Sequence, residues 1–172
     1  MVISKEDCEV IKSFWKGKEV FSEATPKYAY YNGQKAKLKT NKVSAEYVSI
    51  SDDQSLRFIL DKIKCLGIKS ISVKDVSIMK YSPGHYFGPH LDFPNYENDR
   101  LNRTVIIQLS DDKDYSGGDL LVKGIVQPRK IGSLISIKSN EVHEVTKITE
   151  GIRYTAAIFL LNKDIEVTQT LI

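Results

Sequence analysis

The chain has 172 residues, enough for one domain with a substantial core and too few for two ordinary ones. Hydrophobic residues make up 41% and charged residues 27%, which excludes a disordered chain and a coiled coil. A net charge of +3 demands no nucleic-acid partner, no apolar run approaches the roughly 20 residues that cross a bilayer, and the charged N-terminus is unlike a secretory leader, so a cytoplasmic protein with no membrane partner is expected.

In chain order, the first predicted element is a helix with Ser4 as N-cap, on which Cys8, Ile11, Phe14 and Trp15 recur at three- and four-residue spacing. Residues 27–42 follow with five lysines, no acid, Tyr28, Tyr30 and Tyr31, and the turn pair Asn32-Gly33. A solvated edge hairpin in an otherwise irregular stretch is the expectation there, with nucleic-acid binding as the alternative. Ser51 and Gln54 form a capping box for a second helix carrying Leu56, Ile59, Leu60, Ile63 and Leu66 and stopped by Gly67. The two cysteines, Cys8 and Cys65, fall in these helical patterns and are expected to be buried thiols rather than a disulfide.

From residue 68 the pattern changes to short strands. Segments 68–81, 104–109, 119–122, 133–137, 142–147 and 153–160 are rich in Ile, Val, Leu and Tyr and are separated by turn residues. Gly117-Gly118 reads as a hairpin turn, and Pro128 and Gly132 bracket the approach to another strand. Strands without intervening helices imply an antiparallel sandwich or barrel. The expected fold is mainly β with N-terminal helices: a double-stranded β-helix, or jelly roll, over 68–162. Residues 1–67 supply a helical support and the basic hairpin, and 1–172 form a single domain.

Only three histidines are present: His85, His90 and His143. In extended chain, His90 and Asp92 lie on one face and offer two arms of a metal chelate. His143, on a strand that such a roll can bring alongside, supplies a third. Two histidines and one carboxylate on one side of an ion suit non-haem Fe(II). Ten residues beyond His143 stands Arg153, whose planar guanidinium suits two parallel hydrogen bonds to a carboxylate. A His-x-Asp pair alone arises often by chance, so its weight depends on what accompanies it.

Residues 80–159 carry, in order, Lys-Tyr-x-x-Gly at 80–84, Phe87-Gly-Pro-His90-Leu-Asp92, and Arg103-Thr104 opening an apolar strand that ends at Leu109. Tyr115-Ser-Gly-Gly-Asp-Leu120, Pro128, Gly132, His143-Glu-Val and Gly151-Ile-Arg153-Tyr154 complete the series. It resembles the Fe(II)- and 2-oxoglutarate-dependent dioxygenases, specifically their prolyl 4-hydroxylase-like branch. The animal collagen enzymes of that branch have lysine where this chain has Arg153, so the resemblance is nearer to bacterial and oxygen-sensing members. It implies Fe(II) held by the catalytic ligands His90, Asp92 and His143, and 2-oxoglutarate with its distal carboxylate on Arg153. Tyr81 is implied as a hydrogen-bonding contact of the cosubstrate and Gln108 as a second polar contact to the same carboxylate. O2 is the implied co-reactant and ascorbate a reductant.

The implied reaction hydroxylates a substrate C–H, first of all on a peptidyl proline, while 2-oxoglutarate is decarboxylated to succinate. A protein or peptide is therefore the expected partner. Two alternatives stand beside it: a catalytically inactive or cupin-like jelly-roll binding module, and an oxidative demethylase acting on nucleic acid. Demethylase relatives usually carry another arginine six residues after the first, where this chain has Phe159, which disfavours nucleic acid. His85 reads as a loop residue outside the chelate, with a substrate contact as the alternative. Segment 93–101 reads either as a lip over the site, in which Tyr96 and Arg100 touch substrate, or as an ordinary solvated loop.

Overall fold

Ser4 opens α1 (Lys5–Ser13) by accepting a hydrogen bond from the Asp7 N–H at 3.1 Å, and the helix turns Cys8 and Ile11 inward, as its spacing predicts. This computed structural model describes residues 2–23, 28–31, 34–37, 43–68, 71–92 and 101–162. After α1 come β1 (Phe21–Glu23), β2 (Tyr28–Tyr31) and β3 (Gln34–Lys37). β2 and β3 pair antiparallel with Tyr31 opposite Gln34, so the basic stretch does contain a hairpin. Its predicted Asn32-Gly33 turn lies outside the described residues.

Residues 38–42 of that stretch lie outside the described residues; directly after it, β4 (Val43–Ser49), which the sequence reading does not identify, is a central strand. Ala45 and Val48 are buried on its opposite faces, while Glu46 pairs with Lys80 at 2.9 Å. Its seven residues carry few branched apolar side chains beside a run of lysines, which hides the strand from a hydropathy reading.

α2 (Asp53–Ile63) is capped by Asp52 rather than Ser51. The Asp52 carboxylate accepts from the Ser55 N–H at 2.9 Å and from Lys18 at 3.0 Å, and a charged acceptor suits the positive end of a helix better than a hydroxyl. Hydrogen bonds from Ser55, then Lys18, hold this carboxyl well below its ordinary value of 3.8. Asp52→Ala is expected to lower stability by about 1 kcal/mol at neutral pH, read from urea unfolding. Because the folded carboxyl titrates lower than the unfolded one, its contribution is present above pH 4 and is lost as pH falls further, so wild type and variant converge in acid.

A single 3₁₀ turn, Lys64–Leu66, ends at Gly67 with φ 62°, the left-handed stop the sequence predicts. Cys8 is buried, and burial pushes its thiol up to about 11. Cys65, expected to be buried, is exposed, because it sits in the 3₁₀ turn where the helical period no longer applies.

The rest of the chain is β: β5 (Ile71–Tyr81), β6 (Tyr86–His90), β7 (Leu101–Gln108), β8 (Tyr115–Gly117), β9 (Leu120–Val122) and β10 (Ile125–Val126), then β11 (Leu134–Lys138), β12 (His143–Val145), β13 (Ile148–Gly151) and β14 (Arg153–Asn162). Among the described residues the main sheet runs β10-β9-β12-β6-β4-β5-β14-β7-β11, all antiparallel, with β1 beside β4. β4 pairs with β6 through Val43 and Ser44 and with β5 through Glu46 to Ser49, so one strand belongs to both halves and the sheet curls into a roll. The roll is therefore not confined to residues 68–162.

Alternation along β5, β7 and β14 gives each strand two buried faces. Val76, Ile78, Val105, Ile107 and Ile158 meet α1 and α2 on the outside, whereas Ser77, Met79, Tyr81, Thr104, Thr155 and Ala157 face the interior. Each aliphatic side chain so covered contributes about 1.5–3 kcal/mol, which is what fastens the helices to the roll. Gly117-Gly118 is not a hairpin turn, since β8 pairs with β13 and β9 with β12 and β10. With φ of 70° and 65° the two glycines carry the chain from one sheet to another. The tight hairpin lies at Lys123-Gly124, where φ is 53° and 77°. No helix among the described residues is long and apolar enough to cross a membrane.

Candidate active site

β6 and β12 lie side by side with His90 directly opposite His143, and their ring centroids are 4.2 Å apart. Asp92, two residues past the end of β6, enters between them: Oδ1 is 3.4 Å from His90 Nε2 and Oδ2 is 3.3 Å from His143 Nε2. The ligand-type atoms of the three side chains all lie within 4.8 Å of one another. Both histidines are buried, and Thr104 on β7 donates from Oγ1 to Asp92 Oδ2 at 2.7 Å, fixing the carboxylate from the other half of the roll.

Each imidazole is oriented by its own strand. His90 Nδ1 sits 2.8 Å from the Gly88 carbonyl and His143 Nδ1 3.0 Å from the Glu141 carbonyl, two residues back in both cases. A carbonyl only accepts, so each Nδ1 is placed to donate to its own strand while each Nε2 faces Asp92. Burial pushes His90 below its ordinary value, toward the neutral ring. Burial acts to raise Asp92, but the two imidazoles, His143 ahead of His90, outweigh it and hold the carboxyl well below the usual range. Two imidazole nitrogens and a carboxylate thus face one another in a largely buried space. A divalent cation satisfies that arrangement, and one carboxylate with two imidazoles is a donor set suited to Fe(II).

Across the cavity, Arg153 at the start of β14 is 1% exposed. A buried arginine is normally fully paired, yet here Nη2 donates to Gln108 Oε1 at 3.1 Å while Nε and Nη1 have no hydrogen-bond partner. Its guanidinium carbon lies 5.3 Å from the centroid of the Tyr81 ring, which is opposite it in register. A carboxylate at this point would meet the unpartnered donors and the charge together. The triad, Arg153 and Tyr81 line one cavity of about 240 Å³ between the two halves of the roll, with Met79, Ile106, Leu120 and Phe159 among its apolar walls.

Of the residues singled out from sequence, His90, Asp92, His143, Arg153 and Tyr81 converge on this cavity. Gln108 lies behind Arg153, its Nε2 donating to the Pro128 carbonyl at 3.3 Å, and does not line the cavity. His85 closes the turn between β5 and β6, its Nδ1 accepting from the Ser82 N–H at 3.1 Å, and is likewise absent from the cavity wall. Tyr96 and Arg100 lie outside the described residues. Sequence reasoning missed Thr104 as the partner of Asp92, although it stands in the Arg103-Thr104 pair. It also missed Arg129, which donates to the carbonyls of Tyr115 and Gly117 and pairs with Asp119, bracing the chain around Gly117-Gly118.

A family model, the 2OG-Fe(II) oxygenase superfamily, matches residues 76–161. A PKHD-type hydroxylase of Prochlorococcus marinus is 32% identical over 126 residues, covering 69% of this chain and 57% of the relative. The chain thus spans little more than half the length of that relative, and a smaller share of the other PKHD-type hydroxylases it matches. Among solved structures, a viral collagen prolyl hydroxylase from Paramecium Bursaria Chlorella virus-1 superposes with a TM-score of 0.65 at 16% identity, covering 93% of this chain and 92% of the other. A Trichoplax adhaerens prolyl hydroxylase in complex with a hypoxia inducible factor peptide fragment superposes with a TM-score of 0.56 at 14% identity, covering 92% of each chain. These likenesses show the fold, a jelly roll of the oxygenase type.

Proposed function

The chain belongs to the 2OG-Fe(II) oxygenase superfamily, and from that premise we propose that it hydroxylates a C–H bond of a peptidyl proline, with 2-oxoglutarate as cosubstrate and O2 as oxidant. His90, Asp92 and His143 hold Fe(II) through Nε2, a carboxylate oxygen and Nε2. Arg153 binds the distal carboxylate of 2-oxoglutarate, Tyr81 contacts the same molecule, and Gln108 positions the guanidinium through Nη2. When bound, Fe(II) supplies the redox chemistry by which one atom of O2 enters succinate, formed with CO2 from 2-oxoglutarate, and the other becomes the product hydroxyl.

The protein's share is positional. Thr104 fixes the rotation of the Asp92 carboxylate, the Gly88 and Glu141 carbonyls fix the two rings, and Met79, Ile106 and Leu120 keep the cavity dry. The observation that carries the reading is the pairing, in one cavity, of a three-ligand cluster with a buried guanidinium that lacks partners on two nitrogens. Phe159 in the wall, where a demethylase would have arginine, favours a peptide over a nucleic acid. We place all described elements in one catalytic unit working in a reducing compartment such as the cytoplasm, where the exposed thiol of Cys65 persists.

The test is to supply the protein with Fe(II), 2-oxoglutarate, ascorbate and a library of proline-containing peptides, admit O2, and measure succinate together with peptide mass. The expected result is one oxygen gained on a proline for each succinate coupled to it. Coupled turnover on single-stranded nucleic acid with every peptide unchanged would reverse the choice of substrate.

A further inference from the structure

The inward faces of β5 and β14 give the cavity a direction. Tyr81 is paired in register with Arg153, Ser77 with Ala157 and Asp75 with Phe159, and all six line the cavity. The first four are buried, Phe159 is half-buried and Asp75 is exposed, so the guanidinium lies at the closed end and Asp75 at the mouth. Apart from the three candidate metal ligands and Arg153, Asp75 is the only charged side chain among the described residues that line this space. Its carboxylate takes part in no ion pair or hydrogen bond among the described residues. A break in strand register aims it inward. β14 shifts against β5 between Phe159 and Leu160, Leu160 pairing with Val73, which leaves Lys74 as an extra residue on β5. Val73 packs with Leu160 against the core under the helices, whereas Asp75, which simple alternation would put on the same face as Val73, lines the cavity.

Phe159 is also opposite Thr104 on β7, whose hydroxyl donates to Asp92, so Asp75, Phe159 and Thr104 form one row across three strands that ends at a candidate metal ligand. Neighbouring strands lie about 4.8 Å apart, which separates the Asp75 and Thr104 backbones by about 10 Å. A bound extended peptide advances about 3.3 Å per residue and covers that span in about three residues. A carboxylate at the mouth of a largely apolar cavity loses water when a substrate covers it. A positive group on the substrate offsets that loss, and an acidic one adds repulsion to it. We infer that Asp75 determines substrate specificity: its carboxylate pairs with a lysine or arginine of the peptide, within about three residues of the hydroxylated position. This rests on the peptide reading given above and names the kind of peptide. The selection works as much by turning away acidic sequences as by attracting basic ones.

The experiment measures kcat/KM, with Fe(II), 2-oxoglutarate and O2 supplied, on peptides with one central proline and a single Lys, Gln or Glu placed one to three residues to either side. Wild type is expected to favour the Lys peptide over the Glu peptide about tenfold at the best position, attraction and repulsion both counting. Asp75→Asn should shrink that ratio to within about twofold, and Asp75→Lys should invert it. Neither change touches the apolar core, because the side chain is exposed. Absence of a charge preference in wild type, or the same preference in both variants, would overturn the inference. The position of the added oxygen separates the two levels. If the Lys preference and its inversion appear while the oxygen enters a residue other than proline, the role of Asp75 stands and the choice of proline fails. If proline is hydroxylated without regard to charge, only the role of Asp75 fails, and oxygen gained by no peptide would overturn both.

Discussion

Asp92→Ala is expected to abolish tight metal binding and to lower kcat/KM by at least about 10³-fold, more than any second-sphere change. The reason is geometric as well as chemical. Asp92 is the one anionic group in the cluster, it stands within 3.4 Å of both Nε2 atoms, and it accepts the hydrogen bond that Thr104 donates. The variant should fold, because the carboxylate is buried against polar groups rather than packed in the apolar core, and near-ultraviolet circular dichroism checks that. Equilibrium dialysis with Mn(II) checks the metal: wild type should retain it and the variant should not. His90→Ala should behave alike, since its ring is one of the three donors and is set by the Gly88 carbonyl.

Arg153→Ala should give a different pattern. Affinity for 2-oxoglutarate is expected to fall about 100-fold, the worth of a buried two-point charge-assisted contact, while Mn(II) binding stays within about twofold of wild type. Arg153→Lys should recover part of the loss only, because an ammonium replaces the charge and not the planar fork. Calorimetry with 2-oxoglutarate on the Mn(II) form reads both variants. Parallel loss of metal and cosubstrate in Arg153→Ala would mean that the guanidinium supports the fold of the triad rather than the ligand.

Much of this architecture was readable from local chemistry. Ser4 and Gly67 bound the helical segments, and the branched apolar residues of 104–109 and 153–160 announce strands with two buried faces. The motifs that single out His90, Asp92, His143 and Arg153 are local too, and the structure brings all four to one cavity. What sequence reading missed depends on pairing between distant segments. The strand at Val43–Ser49 acquires its role only because β5 and β6 both pair with it. Gly117-Gly118 looks like a hairpin turn, and only the separate partners of β8 and β9 reveal a passage between sheets. The resemblance places Gln108 against the cosubstrate; the structure adds that its register beside Thr155 on β14 brings it into hydrogen-bond contact with Arg153. Asp52 displaced Ser51 as cap by a single residue, a choice decided by charge near a helix end.

The most direct test of the central claim is the visible absorption band that a keto acid chelated to Fe(II) produces under anaerobic conditions. Wild type should show the weak band only when both Fe(II) and 2-oxoglutarate are added. Arg153→Ala should show it only at much higher 2-oxoglutarate, and Asp92→Ala should not show it at all. Absence of the band in wild type, or an undiminished band in Asp92→Ala, would contradict the assignment of iron to His90, Asp92 and His143.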